Sequence, residues 1–358
     1  MRVVMHGKGQ IRRIATGAGI RMKMGHARLL TCYTITFITP LVAKRKTPSM
    51  RYIISLALAS LPLAALAEVP QVVTDIPPVH ALVAQVMGDL GSPTLLLEKG
   101  ADEHDFQLRP SQMQAIADAD TVIWVSPVLT PWLERALAES PAASLTLMDA
   151  PGTKTQPYAL DHGGHAGHAD HNADEYDQPE AEHDHEGADP HVWMNPVNAV
   201  HWADLIAAEL ARQDPENATA YSANATTTKA RIKAMDAEIS AQLTPLQGKA
   251  FVSFHAAYGY FTKHYGLAQA GSLALGDASV PGAARLTTLQ AEMQAGNYTC
   301  AFPEIQHDPA LLEQVMAGSS VKLGAALDPV GSSLDFGPDA YDALMRKLAN
   351  TLTDCLQN

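Results

Sequence analysis

The sequence predicts an α/β protein of two lobes, each with a mostly parallel sheet, joined by one long rigid helix. Short β-rich runs alternate with helical patterns over 72–148, and the alternation returns over 250–356. This alternation is typical of βαβ units. Between the halves, Pro215 to Leu243 has a helical pattern without Pro or Gly after its first residue. About 290 residues follow the apolar N-terminal segment, which is more than one hydrophobic core usually organises.

The individual elements are predicted from clusters of β-branched and aromatic residues for strands and from helical periodicity for helices. In the first lobe, strands are predicted at 72–76, 94–97, 121–125 and 145–148. One helix opens at Pro77-Pro78 and ends near Gly91, and a second covers 111–119, since Pro is favoured in the first helical turn. The second lobe gives strands at 250–254, 298–302 and 321–327 and helices at 256–265, 286–295, 309–317 and 338–356.

The first 67 residues are predicted to be absent from the mature protein. From Met50, one basic residue, an apolar run and a final Ala65-Leu66-Ala67 are typical of a secretory signal peptide at 50–67. We interpret 1–49, which is basic and contains no Asp or Glu, as an upstream extension from a start codon assigned too early. The predicted domains of the mature chain are an N-terminal lobe at 68–214, a linking helix at 215–244 and a C-terminal lobe at 245–358.

Removal of this segment makes the chain strongly acidic. The segment contains 11 of the 25 Lys and Arg residues and none of the 38 acidic ones, which leaves 14 basic against 38 acidic residues and a formal charge of −24. Such a charge excludes nucleic-acid binding through phosphates. Export to an oxidising compartment favours a disulfide between the remaining cysteines, Cys300 and Cys355, with two buried free thiols as the alternative.

A His- and Asp-rich segment over 160–189 indicates chelation of a transition metal. It holds six of the 15 histidines, namely His162, His165, His168, His171, His183 and His185. The segment has no hydrophobic periodicity, so we predict a mobile accessory loop. Spaced imidazoles with carboxylates between them suit Zn, Cu and Ni. A solvated acidic linker with incidental histidines is the alternative.

Three further histidines lie at the ends of predicted strands or in loops rather than on apolar helix faces. His104 follows the second predicted strand, and His255 directly follows the first strand of the second lobe. His191 precedes a helix start at Asn195-Pro196. Because ligands bind where the carboxyl ends of parallel strands meet, we expect a site in the cleft between the lobes. Three imidazoles are a common zinc ligand set, with a fourth position for water or a carboxylate.

Five blocks of sequence, in this order, resemble a family of metal-binding proteins. They are ADEHDFQLRPSQ (101–112), DPHVWMNP (189–196), SFHAAYGYF (253–261), FPEIQ (302–306) and LDPVGSS (327–333). Together they resemble the cluster A-I, or cluster 9, metal-binding proteins of ABC importers. The His-rich loop and the late cysteine pair make the chain similar to the zinc-specific, ZnuA type.

The resemblance implies a zinc site between the lobes and delivery of Zn²⁺ from the periplasm to the permease of a high-affinity zinc importer. It implies His104, His191 and His255 as ligands. For the fourth ligand it leaves Asp328, where manganese-binding relatives place a carboxylate, or Glu103, or water. A histidine at position 255 favours zinc, with manganese or another divalent metal as the alternative cargo. We expect a monomer that is not an enzyme.

Two other classes of function are weaker. A zinc hydrolase would use Glu103 or Glu304 as base, but the sequence has no H-E-x-x-H motif, nucleophile elbow or phosphate loop. The second is a metal-dependent adhesin or passive metal store, of which a store would not need a defined site between lobes. Candidate hydrogen-bond partners of the ligand imidazoles are Asp105, Asp189 and Glu304. The remaining histidines of the mature chain are interpreted as bystanders: His80, His201, His264 and His307.

Overall fold

The computed structural model describes residues 69–158, 187–268, 271–274 and 281–357, all of which belong to one compact unit, Ala64–Asn358. The predicted extension 1–49, the predicted signal peptide 50–67 and the six histidines of the predicted loop lie outside the described residues. Among the helices in the described ranges, none is both long enough and apolar enough to cross a membrane.

Within the described residues, two four-stranded parallel sheets form the centres of the two lobes, as predicted. The first sheet consists of β1 (Val72–Thr74), β2 (Thr94–Leu95), β3 (Thr121–Trp124) and β4 (Ala143–Thr146), in the order β2-β1-β3-β4. The second consists of β5 (Phe251–His255), β6 (Gly271–Ala274), β7 (Cys300–Ala301) and β8 (Lys322–Leu323), in the order β6-β5-β7-β8. The sequence did not predict β6, because its Gly-Ser-Leu-Ala run lacks the β-branched and aromatic residues that favour strands.

Helices flank the first sheet. They are α1 (Pro77–Met87), α2 (Pro110–Asp118), α3 (Pro131–Leu137) and α4 (Pro196–Gln213). Each begins at a proline, whose fixed φ and missing N–H suit the first helical position. Helix α3 was not predicted, since seven residues hold too few turns to show a period. Only the start of α4 was predicted, and there the Asn195 side chain accepts a hydrogen bond from the Val197 amide at 3.0 Å.

A long helix, α5 (Ala218–Leu243), follows a short 3₁₀ turn at Pro215–Asn217 and connects the two halves. The helices of the second half are α6 (Gly259–Tyr265), α7 (Ala283–Gln294), α8 (Ala310–Met316) and α9 (Ala340–Leu356). Helix α5 buries a stripe at a spacing of three or four residues, which is the pattern of one helix face. The stripe is Tyr221, Ala225, Thr228, Ile232, Met235, Ile239 and Leu243.

One hydrophobic core runs through both lobes, and each lobe has a second, smaller cluster of its own. Helix α5 contacts α1, α4 and α9, and α9 also contacts α1. A continuous cluster of buried apolar side chains runs from Ile76 and Leu82 in the first lobe to Phe251 and Phe302 in the second. The C-terminal helix therefore packs on the first lobe, although it lies within the predicted C-terminal lobe at 245–358.

A disulfide joins Cys300 in β7 to Cys355 in α9, which confirms the predicted pairing. The two cysteines are 55 residues apart in sequence. The bond fastens the last helix to the second sheet, so α9 is held both by the shared core and by a covalent link.

A buried aspartate follows β1. The Asp75 carboxylate accepts hydrogen bonds from the backbone amides of Ile76 at 2.8 Å and of Val125 at 2.9 Å. Burial raises the pKa of Asp75 to about 7, although these hydrogen bonds oppose the shift. The side chain ties the end of β1 to the residue after β3.

Candidate metal centre

The three predicted histidines, from three separate parts of the chain, converge between the lobes. The ring centroids are 5.4 Å apart for His104 and His191, 5.7 Å for His104 and His255, and 5.2 Å for His191 and His255. Glu103 completes the group, whose ligand atoms all lie within 4.8 Å of one another. The arrangement is a cluster of three imidazoles and one carboxylate, which we call the buried cluster.

Glu103 and His104 are held by the loop between β2 and α2. The Gly100 amide donates to the Ser332 carbonyl of the second lobe at 3.0 Å, and Gly100 has a φ of 77°, which favours glycine. The His104 amide donates to Asp102 Oδ1 at 2.8 Å, and the Trp132 indole donates to the Glu103 carbonyl at 2.9 Å. These contacts turn the loop so that both side chains face the buried cluster.

His191 is oriented by Asp189. Asp189 Oδ1 lies 2.8 Å from His191 Nδ1 and also accepts from the His191 amide at 3.0 Å, and both side chains are fully buried. The Tyr260 hydroxyl of the second lobe donates to the Asp189 carbonyl at 2.8 Å. One ring nitrogen of His191 is therefore held by a carboxylate, as predicted for a partner of a metal-binding imidazole.

His255 is oriented in the same way by Glu304. It is the last residue of β5 rather than the residue after it, and its Nδ1 lies 2.6 Å from Glu304 Oε2. The Tyr258 hydroxyl donates to Glu304 Oε1 at 3.0 Å. Burial, together with the Glu304 charge, raises the pKa of Tyr258 well above its usual value, so this phenol stays a donor.

The spacing of the ring nitrogens fits a bound zinc ion. His191 Nε2 and His255 Nε2 are 3.3 Å apart. Two nitrogens about 2.0–2.1 Å from one tetrahedral zinc ion lie about 3.3 Å from each other. In both rings Nδ1 contacts a carboxylate, and a proton on Nδ1 leaves the lone pair on Nε2. The buried cluster thus presents imidazole lone pairs at the separation that two zinc ligands require.

Of the two candidate carboxylates, the structure brings Glu103 and not Asp328 into the buried cluster. Burial raises the pKa of Glu103 to about 8, although interactions with His255 and His191 oppose this shift. Asp328 instead accepts from the amides of Ser332 at 3.0 Å and Ser333 at 2.9 Å. Its carboxylate is engaged in its own turn, where it shapes the segment that meets Gly100.

A cavity of about 380 Å³ lies beside the buried cluster and is lined by both lobes. His307 lines it, although its sequence context predicted a bystander. The His307 ring stacks on Phe254 at a centroid distance of 4.1 Å, near His255 and Glu304. The signal available in the sequence is its position just after FPEIQ, at the carboxyl end of the β7 region, where site residues collect.

A sequence profile described as ZnuA, "Zinc-uptake complex component A periplasmic", matches residues 72–355. The chain belongs to this family. The high-affinity zinc uptake system protein ZnuA of Paracoccus denitrificans (strain Pd 1222) is 48% identical over 319 residues, which cover 85% of this chain and 97% of that protein. Its namesake from Brucella abortus (strain 2308) is 35% identical over 309 residues, with coverage of 80% and 91%.

Solved structures show the same fold. The SBP FpvC from Pseudomonas aeruginosa, in complex with Mn²⁺, has a TM-score of 0.66 at 20% identity and covers 81% of this chain and 99% of its own. The two parallel sheets and these solved structures confirm the predicted fold class. Membership of the ZnuA family confirms the predicted role in zinc uptake. The assignment of His104, His191 and His255 as zinc ligands stays a prediction.

Proposed function

We propose that the chain captures Zn²⁺ in the periplasm at the buried cluster and delivers it to the permease of a zinc ABC importer. The observation that carries this proposal is the convergence of His104, His191, His255 and Glu103 between the lobes, within 4.8 Å of one another. Family membership supports the zinc-uptake role, and the closeness of the four side chains supports the buried cluster as the binding site.

In this proposal the three imidazoles bind zinc and Glu103 is the fourth ligand. Asp189 and Glu304 hold the rings of His191 and His255 by Nδ1, which keeps each Nε2 directed at the ion. A carboxylate ligand also adds negative charge to three neutral imidazole ligands, which favours a doubly charged cation in a buried place.

Three nitrogen ligands favour zinc over manganese. Mn²⁺ prefers carboxylate, carbonyl and water oxygens, whereas imidazole suits Zn²⁺. The last residue of β5 is His255, so this position offers a ring nitrogen to the metal rather than a carboxylate oxygen. We therefore propose that manganese binds this site more weakly than zinc.

The segment at 160–189 is proposed as an accessory chelator that collects or exchanges zinc near the cleft. Its six histidines bind metal adaptably, without one fixed geometry. We further propose that the protein works as a monomer without nucleic acid. The shared core is complete within one chain, and the acidic residues after position 67 repel phosphates.

Competitive zinc titration against a calibrated chelator tests the site. Protein purified from the periplasm is expected to hold one zinc with a Kd of about 1 nM or tighter, or about −12 kcal/mol. His255→Ala should lose this binding, whereas the control His264→Ala should keep it, because His264 contacts Asp236 outside the buried cluster. Full tight affinity in His255→Ala would place the site in 160–189 instead.

The fourth ligand is tested by a matched pair of variants. Glu103→Gln should weaken zinc binding more than Asp328→Asn does, because only Glu103 belongs to the buried cluster. The opposite order would assign Asp328 as the ligand. The same titration with Mn²⁺ as competitor measures the metal preference.

A further inference from the structure

A second group of metal-binding side chains lies on the solvent side of the buried cluster. His307 Nε2 lies 3.8 Å from Glu304 Oε2 and 3.9 Å from Asp102 Oδ2. The side chains of His307 and Asp102 are 28% and 25% exposed, whereas that of Glu304 is 0% exposed. Ligand atoms of His255, Glu304 and His307 also lie within 4.8 Å of one another. The group therefore connects solvent with a ligand of the buried cluster.

The two outer side chains are held in place by other contacts. The His307 ring stacks on Phe254, with the planes 12° apart. Asp102 Oδ1 accepts from the His104 amide at 2.8 Å, which leaves Oδ2 as the oxygen nearest to His307. Asp102 belongs to the first lobe and His307 to the second, so the group spans the mouth of the cleft.

We propose that Asp102, Glu304 and His307 form an outer divalent-cation site that Zn²⁺ occupies in transit between solvent and the buried cluster. This proposal depends on the proposed function of the buried cluster. One imidazole and two carboxylates replace part of the hydration shell while the ion is still near solvent. The ion therefore does not lose its water in one step, which would be costly for a charged species.

Glu304 connects the two sites, because its carboxylate belongs to the outer group and also holds His255 Nδ1. An ion at the outer site therefore lies next to the imidazole that receives it, and the two positions are occupied in succession. Because a transit site lowers the same barrier for binding and for release, its loss slows both rates by the same factor. The equilibrium affinity, which is their ratio, does not depend on the path.

Stopped-flow kinetics on the full protein test this proposal, with zinc association and zinc release into excess EDTA as the two measurements. Trp193, whose ring centroid is 5.3 Å from that of His191, supplies the fluorescence signal. His307→Phe keeps an aromatic ring against Phe254 but removes the ligand nitrogen. Both rates are expected to fall about tenfold, which corresponds to about 1.4 kcal/mol in the barrier.

A matched pair of aspartate variants separates the loss of an outer-site ligand from the loss of one negative charge. Asp102→Asn removes the outer carboxylate and keeps an oxygen that accepts from the His104 amide. Asp105→Asn removes the same charge from the same cavity wall. Asp105 was a predicted partner of a ligand imidazole, but its side chain is exposed, and Asp189 and Glu304 hold the rings of His191 and His255 instead. Slower zinc association and release in Asp102→Asn but not in Asp105→Asn would support the outer site. The site is also supported if the double variant His307→Phe/Asp102→Asn is no slower than the slower of the two single variants.

Equal slowing in both aspartate variants would attribute the effect to general attraction and overturn the proposal. Unchanged rates in His307→Phe would overturn it as well, while tight binding at equilibrium would leave the buried cluster intact as the zinc site. Absence of tight zinc binding in the wild-type protein would refute both proposals together.

Discussion

Glu304 provides the sharpest test of how the buried cluster is organised, since its carboxylate holds His255 without belonging to the four clustered ligands. The substitution Glu304→Gln keeps the size of the side chain and an acceptor oxygen but removes the negative charge. The carboxylate is completely buried, lies 2.6 Å from His255 Nδ1 and accepts from the Tyr258 hydroxyl. Solvent therefore does not screen its interaction with a metal bound at the opposite ring nitrogen.

The size of the effect follows from this geometry. A zinc ion on His255 Nε2 would lie about 6 Å from the Glu304 carboxylate, allowing for the ring width and a metal–nitrogen bond of about 2 Å. At an effective dielectric constant of about 20, this distance gives about 2.8 kcal/mol per unit of net charge on the site. That energy corresponds to about a hundredfold in Kd, the upper end of the roughly 10–100-fold effects seen for such partners.

The assay is chelator competition at equilibrium, with Glu292→Gln as the control. Glu292 accepts a hydrogen bond from the Tyr298 hydroxyl at 2.9 Å, so it reproduces the tyrosine contact away from the buried cluster. We expect Glu304→Gln to weaken zinc binding by about 10–100-fold and Glu292→Gln to leave it unchanged. A loss below about threefold in Glu304→Gln, with the protein folded, would refute the view that the carboxylate strengthens the imidazole as a ligand.

The remaining predictions concern the loop, the disulfide and a buried acid. Deletion of 161–187 should leave the tight zinc Kd unchanged and remove weaker bound zinc, as counted by equilibrium dialysis; loss of the tight site would contradict an accessory role. Serine at both Cys300 and Cys355 should lower the free energy of unfolding in urea by about 4 kcal/mol, the chain-entropy value for a 55-residue separation, and a negligible change would contradict this. Folding raises the pKa of Asp75 from 3.8 to about 7, so the native state keeps a proton that the unfolded state has released. The free energy of unfolding should therefore fall as pH rises from 3.8 towards 7, with a flatter dependence in Asp75→Asn; parallel urea curves across this range would show that Asp75 is not responsible.

The convergence of the predicted histidines could be expected from the sequence, because parallel sheets collect functional residues at one edge. His104 and His255 follow or end strands, and this position needs no knowledge of how the lobes pack. The choice between Glu103 and Asp328 could not be made in the same way. It depends on the turn after Asp328, where the Ser332 and Ser333 amides engage the carboxylate.

Other features depend on contacts that no local pattern contains. Strands β2, β7 and β8 have only two residues each, too few to show an alternation. His307 and Asp102 lie close together although they belong to loops of different lobes and are more than 200 positions apart in the chain. Helix α9 was predicted from its periodicity, but its packing on α1 follows from the amphipathic faces of four helices taken together.

The core common to both lobes makes zinc occupancy a property of the whole chain. Neither sheet can open alone without exposing apolar side chains that the other lobe covers. Backbone amides of the helices that pack into this core, α1, α4, α5 and α9, should therefore exchange with solvent through one global opening, which zinc suppresses by the same factor in each helix. At a free zinc concentration a thousandfold above Kd, this factor is about a thousand, or about 4.1 kcal/mol. Periplasmic proteases act on the opened form, so the loaded protein would survive longer than the empty one.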